Sequence, residues 1–421
     1  MLVRGYVPAQ GISPDFFMTM QKRISPLLFF VLGALAGASY FLFKPSPVET
    51  VPVSPAAEIP TAISAEQPET LPLGDSAVER NLIAAGEYLV RQQLANGELA
   101  YQVNVLNGER SSTPSNIRLV NGASALYTVC RVSGKTEYCE AGDKALAHYT
   151  PHLLSDPTNF KGTCLYSNGS CPLGGAAAMV DAVYKRWQAS DSVLLAEHNL
   201  LNDAVELGYF IVSMRRPEGG FYHAFDPHIG GTVNPVSFDP SFNGEALTAL
   251  LQLYEMTGNS FWLEQAREVN DFMTSQPVTE DQSHAIALAM FARLDALSQA
   301  DEAYAKQIAD LVIVGQIRSL NPANGSIATA AKVEALSALA QAFAYSEAEH
   351  EWLESDIQSF ITFVQARQFP ANDCNFQFTE GMIENYQGGI FNTCEDPSIR
   401  VDGSYHWVNA LTLYLEYLGM K

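Results

Sequence analysis

The chain carries 421 residues, with 46 Asp and Glu against 24 Lys and Arg and a formal net charge of −22 at pH 7. That balance excludes nucleic acid and an anionic membrane surface as electrostatic partners. With 47% hydrophobic residues a packed globule is expected, and the length suits one large repeat domain plus appended segments.

Residues 1–23 read as a short cytoplasmic stub. The first seventeen look unstructured, and Met18 or Met20 is an alternative start. Ile24–Phe43 is a run of twenty uncharged, mostly apolar residues, long enough to span a bilayer as a helix. Arg4, Lys22 and Arg23 precede it, and after Lys44 no Lys or Arg appears until Arg80. The positive-inside rule then places the N-terminus in the cytoplasm and the bulk of the chain outside it, anchored to the inner (plasma) membrane by one helix. A cleaved signal peptide is the alternative, since Ala36-Gly37-Ala38 fits a small-residue cleavage site. Tyr40–Phe43 prolongs the apolar run and favours an anchor. Residues 44–75 follow, with seven prolines and five acidic residues, the composition of a disordered tether.

Residues 76–421 read as almost wholly helical, in strict alternation of amphipathic and apolar segments. Spacing predicts six pairs: Val78–Leu94 with Ile117–Val132, Thr136–Leu153 with Leu173–Trp187, Leu194–Met214 with Asn243–Met256, Phe261–Ser275 with Gln282–Leu297, Glu302–Arg318 with Ala328–Ala344, and Glu347–Gln368 with Gly403–Leu418. The second member of each pair is apolar on nearly every side, as a buried helix is. Small residues crowd these inner helices, as in Gly122-Ala123-Ser124-Ala125 and Gly174-Gly175-Ala176-Ala177-Ala178. Six helical hairpins predict an all-α fold, an (α/α)6 toroid, with an open solenoid as the alternative.

The stretch 216–258 shows the unit most plainly. A Gly219-Gly220 turn leads into Phe221-Tyr222-His223-Ala224-Phe225-Asp226-Pro227, then a polar loop, then the apolar helix that Gly258 ends. Loops of this Gly-Gly-Phe-Tyr type, leading into small-residue inner helices, resemble those of the six-hairpin toroids of carbohydrate-active proteins. These include six-hairpin glycosidases, toroidal polysaccharide lyases and the C-terminal domain of D-glucuronyl C5-epimerases. Ser241-Phe242-Asn243-Gly244-Glu245-Ala246-Leu247, with Leu253-Tyr254, is similar to the start of a helix in the epimerase domain. The resemblance covers Asp75–Lys421 and is architectural, so it implies the fold and a glycan partner but assigns no catalytic residue.

The six cysteines, Cys130, Cys139, Cys164, Cys171, Cys374 and Cys394, all follow the apolar run. They fall into near-neighbour couples, so 130–139, 164–171 and 374–394 is the simplest disulfide pairing, and an exported location permits it. Zinc is the rival reading, although no C-x-x-C is present. No metal and no cofactor is otherwise indicated: the chain lacks a P-loop, G-x-S-x-G and H-E-x-x-H.

In such a ring the loops leading into the inner helices line the mouth of a funnel. Three of them look alike: Gly97–Leu126, the 216–258 stretch, and Gly388–Leu411. Tyr222, Asp226, Glu245 and His406 are the candidate catalytic groups, with Tyr101, Arg118, Arg400 and Asp402 as substrate contacts. Aromatics beside carboxylates suit sugar rings, and Arg118 and Arg400 suit substrate carboxylates. Each has a structural alternative. Asp226-Pro227 and Asp239-Pro240 fit turns, Glu245 fits a helix first turn, Arg400 and Asp402 fit a mutual pair, and His284 fits a satisfied core histidine. Carboxylates with a His or Tyr serve hydrolysis, lysis or C5 epimerisation of a glycan alike. A non-catalytic toroid that binds glycan or scaffolds an envelope complex is the competing class, and a peptide polymer a weaker substrate.

Overall fold

The computed structural model describes residues 76–111, 116–189, 199–233, 240–319 and 324–420. The stub, the predicted membrane span, the tether and Asp239 lie outside these residues. Among the described residues no helix is long and apolar enough to cross a membrane.

Thirteen helices are described. Six form an inner set: α2 (Asn116–Ser133), α4 (Leu173–Ala189), α6 (Pro240–Thr257), α8 (Gln282–Arg293), α10 (Ser326–Tyr345) and α13 (Val401–Gly419). The outer set is α1 (Ala77–Gln92), α3 (Thr136–Tyr149), α5 (Leu200–Ser213), α7 (Ser260–Thr274), α9 (Gln299–Ser319) and α11 (Glu354–Gln365), with a short α12 (Glu380–Tyr386) before the last inner helix. Each inner helix packs on the next, and α13 packs back on α2, so the ring closes. The fold is the (α/α)6 toroid, not the open solenoid.

All twelve predicted helices are present, with shifts at their ends that have local causes. The helix predicted to run to Leu297 stops at Arg293, because Asp295 takes a left-handed φ of 51°. The helix predicted to reach Leu153 stops at Tyr149, where Pro151 lies in a 3-10 turn. Proline has no backbone N–H to carry the α-helical hydrogen-bond ladder onward. Glu347, at φ 56°, closes α10, and the chain passes through a 3-10 turn at Glu351–Leu353 before α11 starts.

Short strands, absent from the sequence reading, tie the mouth loops together. β1 (Gln102–Asn104) pairs antiparallel with β7 (Ser398–Arg400), placing Gln102 opposite Arg400. This joins the loop of the first hairpin to that of the last. β4 (Cys171–Pro172), β5 (Ala224–Asp226) and β6 (Gly231–Val233) form a three-stranded sheet that joins the second and third. β2 (Leu153–Ser155) pairs with β3 (Thr163–Leu165) in the second loop.

The opposite end of the ring is closed by charge. Arg131 at the end of α2 meets Glu416 of α13 at 2.6 Å, Arg293 at the end of α8 pairs with Glu255 of α6, and Gln341 of α10 donates to the Leu413 carbonyl at 2.7 Å. Arginines in last helical turns also face the negative ends of their helix dipoles.

The three near-neighbour cysteine couples are paired as the simplest reading had them, with Cα separations of 5.4 Å for Cys130–Cys139, 5.7 Å for Cys164–Cys171 and 5.3 Å for Cys374–Cys394. Asp373 beside Cys374 and Cys394 is the one metal-spaced group among the described residues. Its sulfurs are bonded to each other and so are not thiolate ligands, which removes the zinc reading. Labelling of the denatured, unreduced protein with a thiol reagent is expected to modify none of the six cysteines, and six after reduction. Labelling without reductant would contradict the pairing.

Glycines set the helix spacing at the seam. A Cβ on Gly122 of α2 would lie 2.4 Å from Leu99 Cδ1 and 2.7 Å from Val401 Cγ1 of α13. Overpacking of this kind costs about 1–3 kcal/mol. Gly122→Ala is therefore expected to lower the unfolding free energy by that amount, read as a lower urea midpoint at unchanged slope, and an unchanged midpoint would mean that α2 and α13 are not in close contact.

Candidate functional site

The six inner helices enclose an axial cavity of about 720 Å³, which opens at their N-terminal ends. Every inner helix contributes to its wall. At the mouth stand Tyr101 and Arg118. Glu245 of α6 lies below, beside Asp181 of α4, Glu334 of α10 and Tyr405 and His406 of α13.

The mouth is built around Asp402, which is 6% exposed. Arg400 holds it with both arms of its guanidinium, Nε to Oδ1 at 2.9 Å and Nη2 to Oδ2. Arg118 approaches the same carboxylate at 3.4 Å and donates to the Tyr101 hydroxyl. Both guanidiniums also approach the Tyr101 ring, Arg118 at 5.7 Å and Arg400 at 5.8 Å from its centre. The fork of Arg400 is taken up by Asp402, as the mutual-pair alternative holds. Tyr101 and Arg118 remain at the cavity surface.

His406 is the centre of the site. Its Nδ1 lies 2.7 Å from Glu334 Oε2, and Asn409 Nδ2 donates to Glu334 Oε1 at 3.1 Å. Glu334 is 1% exposed. Burial pulls the His406 pKa down, but the Glu334 charge and hydrogen bond and the Asp402 charge outweigh it, and the net shift is upward. A carboxylate on Nδ1 fixes that nitrogen as the proton carrier, which leaves Nε2 as the exchangeable position.

Tyr405 is held protonated. Burial, then the charges of Asp181, Glu334 and Glu245, push its pKa well up. Its hydroxyl lies 3.5 Å from Asp181 Oδ2, and Gln252 Nε2 donates to Asp181 Oδ1 at 2.7 Å. Tyr405 is thus a donor, not a base. Glu245 begins in the second turn of α6, since that helix starts at Pro240, so the first-turn alternative does not account for it. A Cβ on Gly174 would come within 2.5 Å of Glu245 Oε2; the glycine makes room for the carboxylate.

Two predicted catalytic groups lie away from the cavity. Tyr222 packs under Arg216, 5.9 Å from ring centre to guanidinium, and its backbone N–H donates to the Met214 carbonyl. Asp226, at the end of β5, accepts the His228 N–H at 2.8 Å, the turn role that its Asp-Pro sequence allows. His284 is a core histidine: its Nε2 lies 3.0 Å from Asn270 Oδ1, and Asn270 donates on to Asp301. Asp181, Glu334 and Asn409 were not singled out from sequence, because they sit two turns inside apolar helices and not in the mouth loops; Tyr405, beside His406 near the start of α13, was passed over. A lone acid in an otherwise apolar inner helix was the available signal.

The two histidines are expected to report in opposite directions. In an NMR titration His406 titrates above its ordinary 6.5, and Glu334→Gln brings its midpoint down. Because the folded value is raised, the stabilisation is complete below 6.5 and is lost as pH rises through that folded value. Burial drives His284 down to about 4, so acidification from 6.5 towards 4 protonates the unfolded chain first and costs up to about 3 kcal/mol. A His406 midpoint below 6.5 in the wild type would contradict the Glu334 contact.

No protein-family model and no curated protein matches the chain. Solved structures do. The cellobiose 2-epimerase of Spirochaeta thermophila superposes with a TM-score of 0.60 at 15% identity, over 81% of this chain and 96% of that one. The cellobiose 2-epimerase of Bacillus thermoamylovorans gives 0.57 at 13%, over 80% and 98%. The unsaturated glucuronyl hydrolase of Bacillus sp. GL1 gives 0.55 at 12%, over 79% and 96%. These neighbours are six-hairpin glycosidase-like toroids, and at such identities the likeness establishes the shared fold.

Proposed function

We propose that this chain is a carbohydrate-active enzyme that binds the end of a glycan in the axial cavity and acts by acid–base chemistry. The observation that carries the reading is the His406–Glu334 pair in a cavity that also presents Glu245 and Asp181. An imidazole with a raised pKa is a proton donor near neutral pH, and its transition-state contribution is typically 10²–10⁴-fold. His406 is assigned as the general acid, giving its Nε2 proton to a sugar oxygen, with Glu334 holding the ring and stabilising the cation. Glu245 is assigned as the carboxylate that accepts a proton or orients water. Tyr101 at the mouth offers a stacking face for a sugar ring.

Proton delivery to a sugar oxygen is common to hydrolysis and to epimerisation, and the names of the structural neighbours include both kinds of enzyme. Lysis fits less well, since Tyr405 is held protonated and Tyr222 lies outside the cavity. The uncharged run 24–43, the proline-rich segment and the paired cysteines support an extracytoplasmic domain tethered to the inner membrane.

The test is a panel of envelope-type oligosaccharides incubated with the full chain, with products resolved by mass and by sugar composition. New reducing ends identify hydrolysis; altered composition without cleavage identifies epimerisation. His406→Gln, which can still hydrogen-bond Glu334, is expected to lower kcat by about 10²-fold or more while retaining the fold. Binding without turnover across the panel would favour the non-catalytic toroid instead.

His406→Ala is expected to do more than remove the acid. It leaves a buried carboxylate without its cation, a loss of about 3–5 kcal/mol. Its melting temperature therefore falls well below that of His406→Gln, contrary to the small effect expected for an exposed loop-mouth residue. Equal melting temperatures for the two variants would show that Glu334 does not depend on the imidazole.

A further inference from the structure

Hydrogen-bonding groups deep in the cavity are sorted by the carboxylates around them. Gln252 directs its Nε2 to Asp181 and Asn409 its Nδ2 to Glu334, which fixes both amide carbonyl oxygens as acceptors. Gln252 is 2% exposed and Asn409 6%. Neither Gln252 Oε1 nor Asn409 Oδ1 has a hydrogen-bond partner in the protein, and the Thr412 hydroxyl on the same wall has none. Buried acceptors in native proteins are normally satisfied; these lie just behind the cavity surface, and their unmatched oxygens add negative potential to the wall around Asp181.

Charge narrows the kind of donor. Asp402 is held by Arg400 and Arg118, Glu416 by Arg131, and Glu334 by His406. Asp181 accepts from the neutral Gln252 and Tyr405. Tyr405 links the Asp181 carboxylate to the Asn409 amide, since it reaches Asp181 and also interacts with the Asn409 side chain. The fixed cations on the cavity wall are Arg118 at the mouth and Lys185 at the far end. Segments 112–115, 190–198, 234–239 and 320–323, outside the described residues, contain no Lys or Arg. A uronate carboxylate brought against Asp181 would meet like charge and two carbonyl oxygens. An ammonium group, with three donors and no acceptor, matches the same set.

Resting on the reading of this cavity as a glycan site, we propose that its inner part takes an amine-bearing hexose, the glucosamine-type unit of a partly de-N-acetylated glycan. Its ammonium sits against the Asp181 carboxylate, with the Gln252 and Asn409 carbonyl oxygens behind that wall. Acetylation of that amine removes the charge and two of the donors.

Calorimetry with the full chain tests this with three tetrasaccharides of equal length: β-linked glucosamine, its fully N-acetylated form, and a uronate. The expected order is glucosamine at least ten-fold tighter than the N-acetylated form, with no measurable uronate binding and a glucosamine affinity that falls as salt is added. Asp181→Asn and Gln252→Leu, each checked for an unchanged circular dichroism spectrum and cooperative melting, are expected to reduce the glucosamine preference to under three-fold. Equal affinity for the first two sugars, or tighter binding of the uronate, overturns the amine assignment and leaves the glycan reading standing. Spermidine binding as tightly as the glucosamine oligosaccharide overturns the sugar part of it. Failure of all three sugars to bind or turn over overturns both.

Discussion

The structure depends on the seam between the first and last hairpins. An open solenoid of the same helices would leave the faces of α2 and α13 that meet at the seam unburied, and it would have no axial cavity. Closure brings α13 against α2, pairs β1 with β7, and sets Asp402, in the first turn of α13, between Arg400 of β7 and Arg118 from the far end of the domain sequence. Gly122 permits the approach by leaving room for Leu99 and Val401. The carboxylate clamp and the glycine are complementary: one directs the register of the seam, the other removes the bulk that would hold it open. Strand pairing adds a fixed register to the mouth, where helix packing alone would leave the loops free to slide.

Closure also explains why buried charge is tolerated here. A carboxylate such as Glu334 taken out of water is costly unless it is paired and hydrogen-bonded. His406 and Asn409, both on α13, supply those partners from the helix that completes the ring. At the far end the Arg131–Glu416 and Arg293–Glu255 pairs join inner helices to one another and face away from the mouth. The cavity therefore has a charged floor fixed by its own pairs, a middle layer of acids and amides, and an aromatic rim. That layering is what lets one side chain, His406, keep a proton while Tyr405 beside it does too, for different reasons: attraction to Glu334 in the first case, burial and then repulsion of the phenolate by three carboxylates in the second.

Much of the architecture was legible in the sequence because its period is long and its signal strong. Helices of twelve to twenty residues that are apolar all round cannot be mistaken for surface helices, and their alternation with amphipathic partners implied hairpins. Strands of two or three residues carry too few alternations to be read, and α12, with no buried residue, has no apolar stripe. The site was legible in part. Glu245, His406, Tyr101 and Arg118 do line one cavity, as residues in mouth loops and near helix starts do where a ring opens. Asp226 and Tyr222 were misplaced for the same reason: they are also loop residues, but their contacts are made within their own loop. Asp181 and Glu334 were passed over because the reading looked to the loops and not down the axis, although an acid inside Ala-Ala-Lys-Val-Glu-Ala-Leu has no structural purpose unless something faces it.

The central claim is that a sugar occupies the axis of the ring against His406. A structure of the full chain with a bound oligosaccharide measures this directly. The account predicts a sugar oxygen within hydrogen-bond distance of His406 Nε2, a second ring against Tyr101, and the His406–Glu334 contact intact. A sugar bound instead in the lateral groove between Pro157–Lys161 and Phe261, with the axial cavity unchanged, would contradict it.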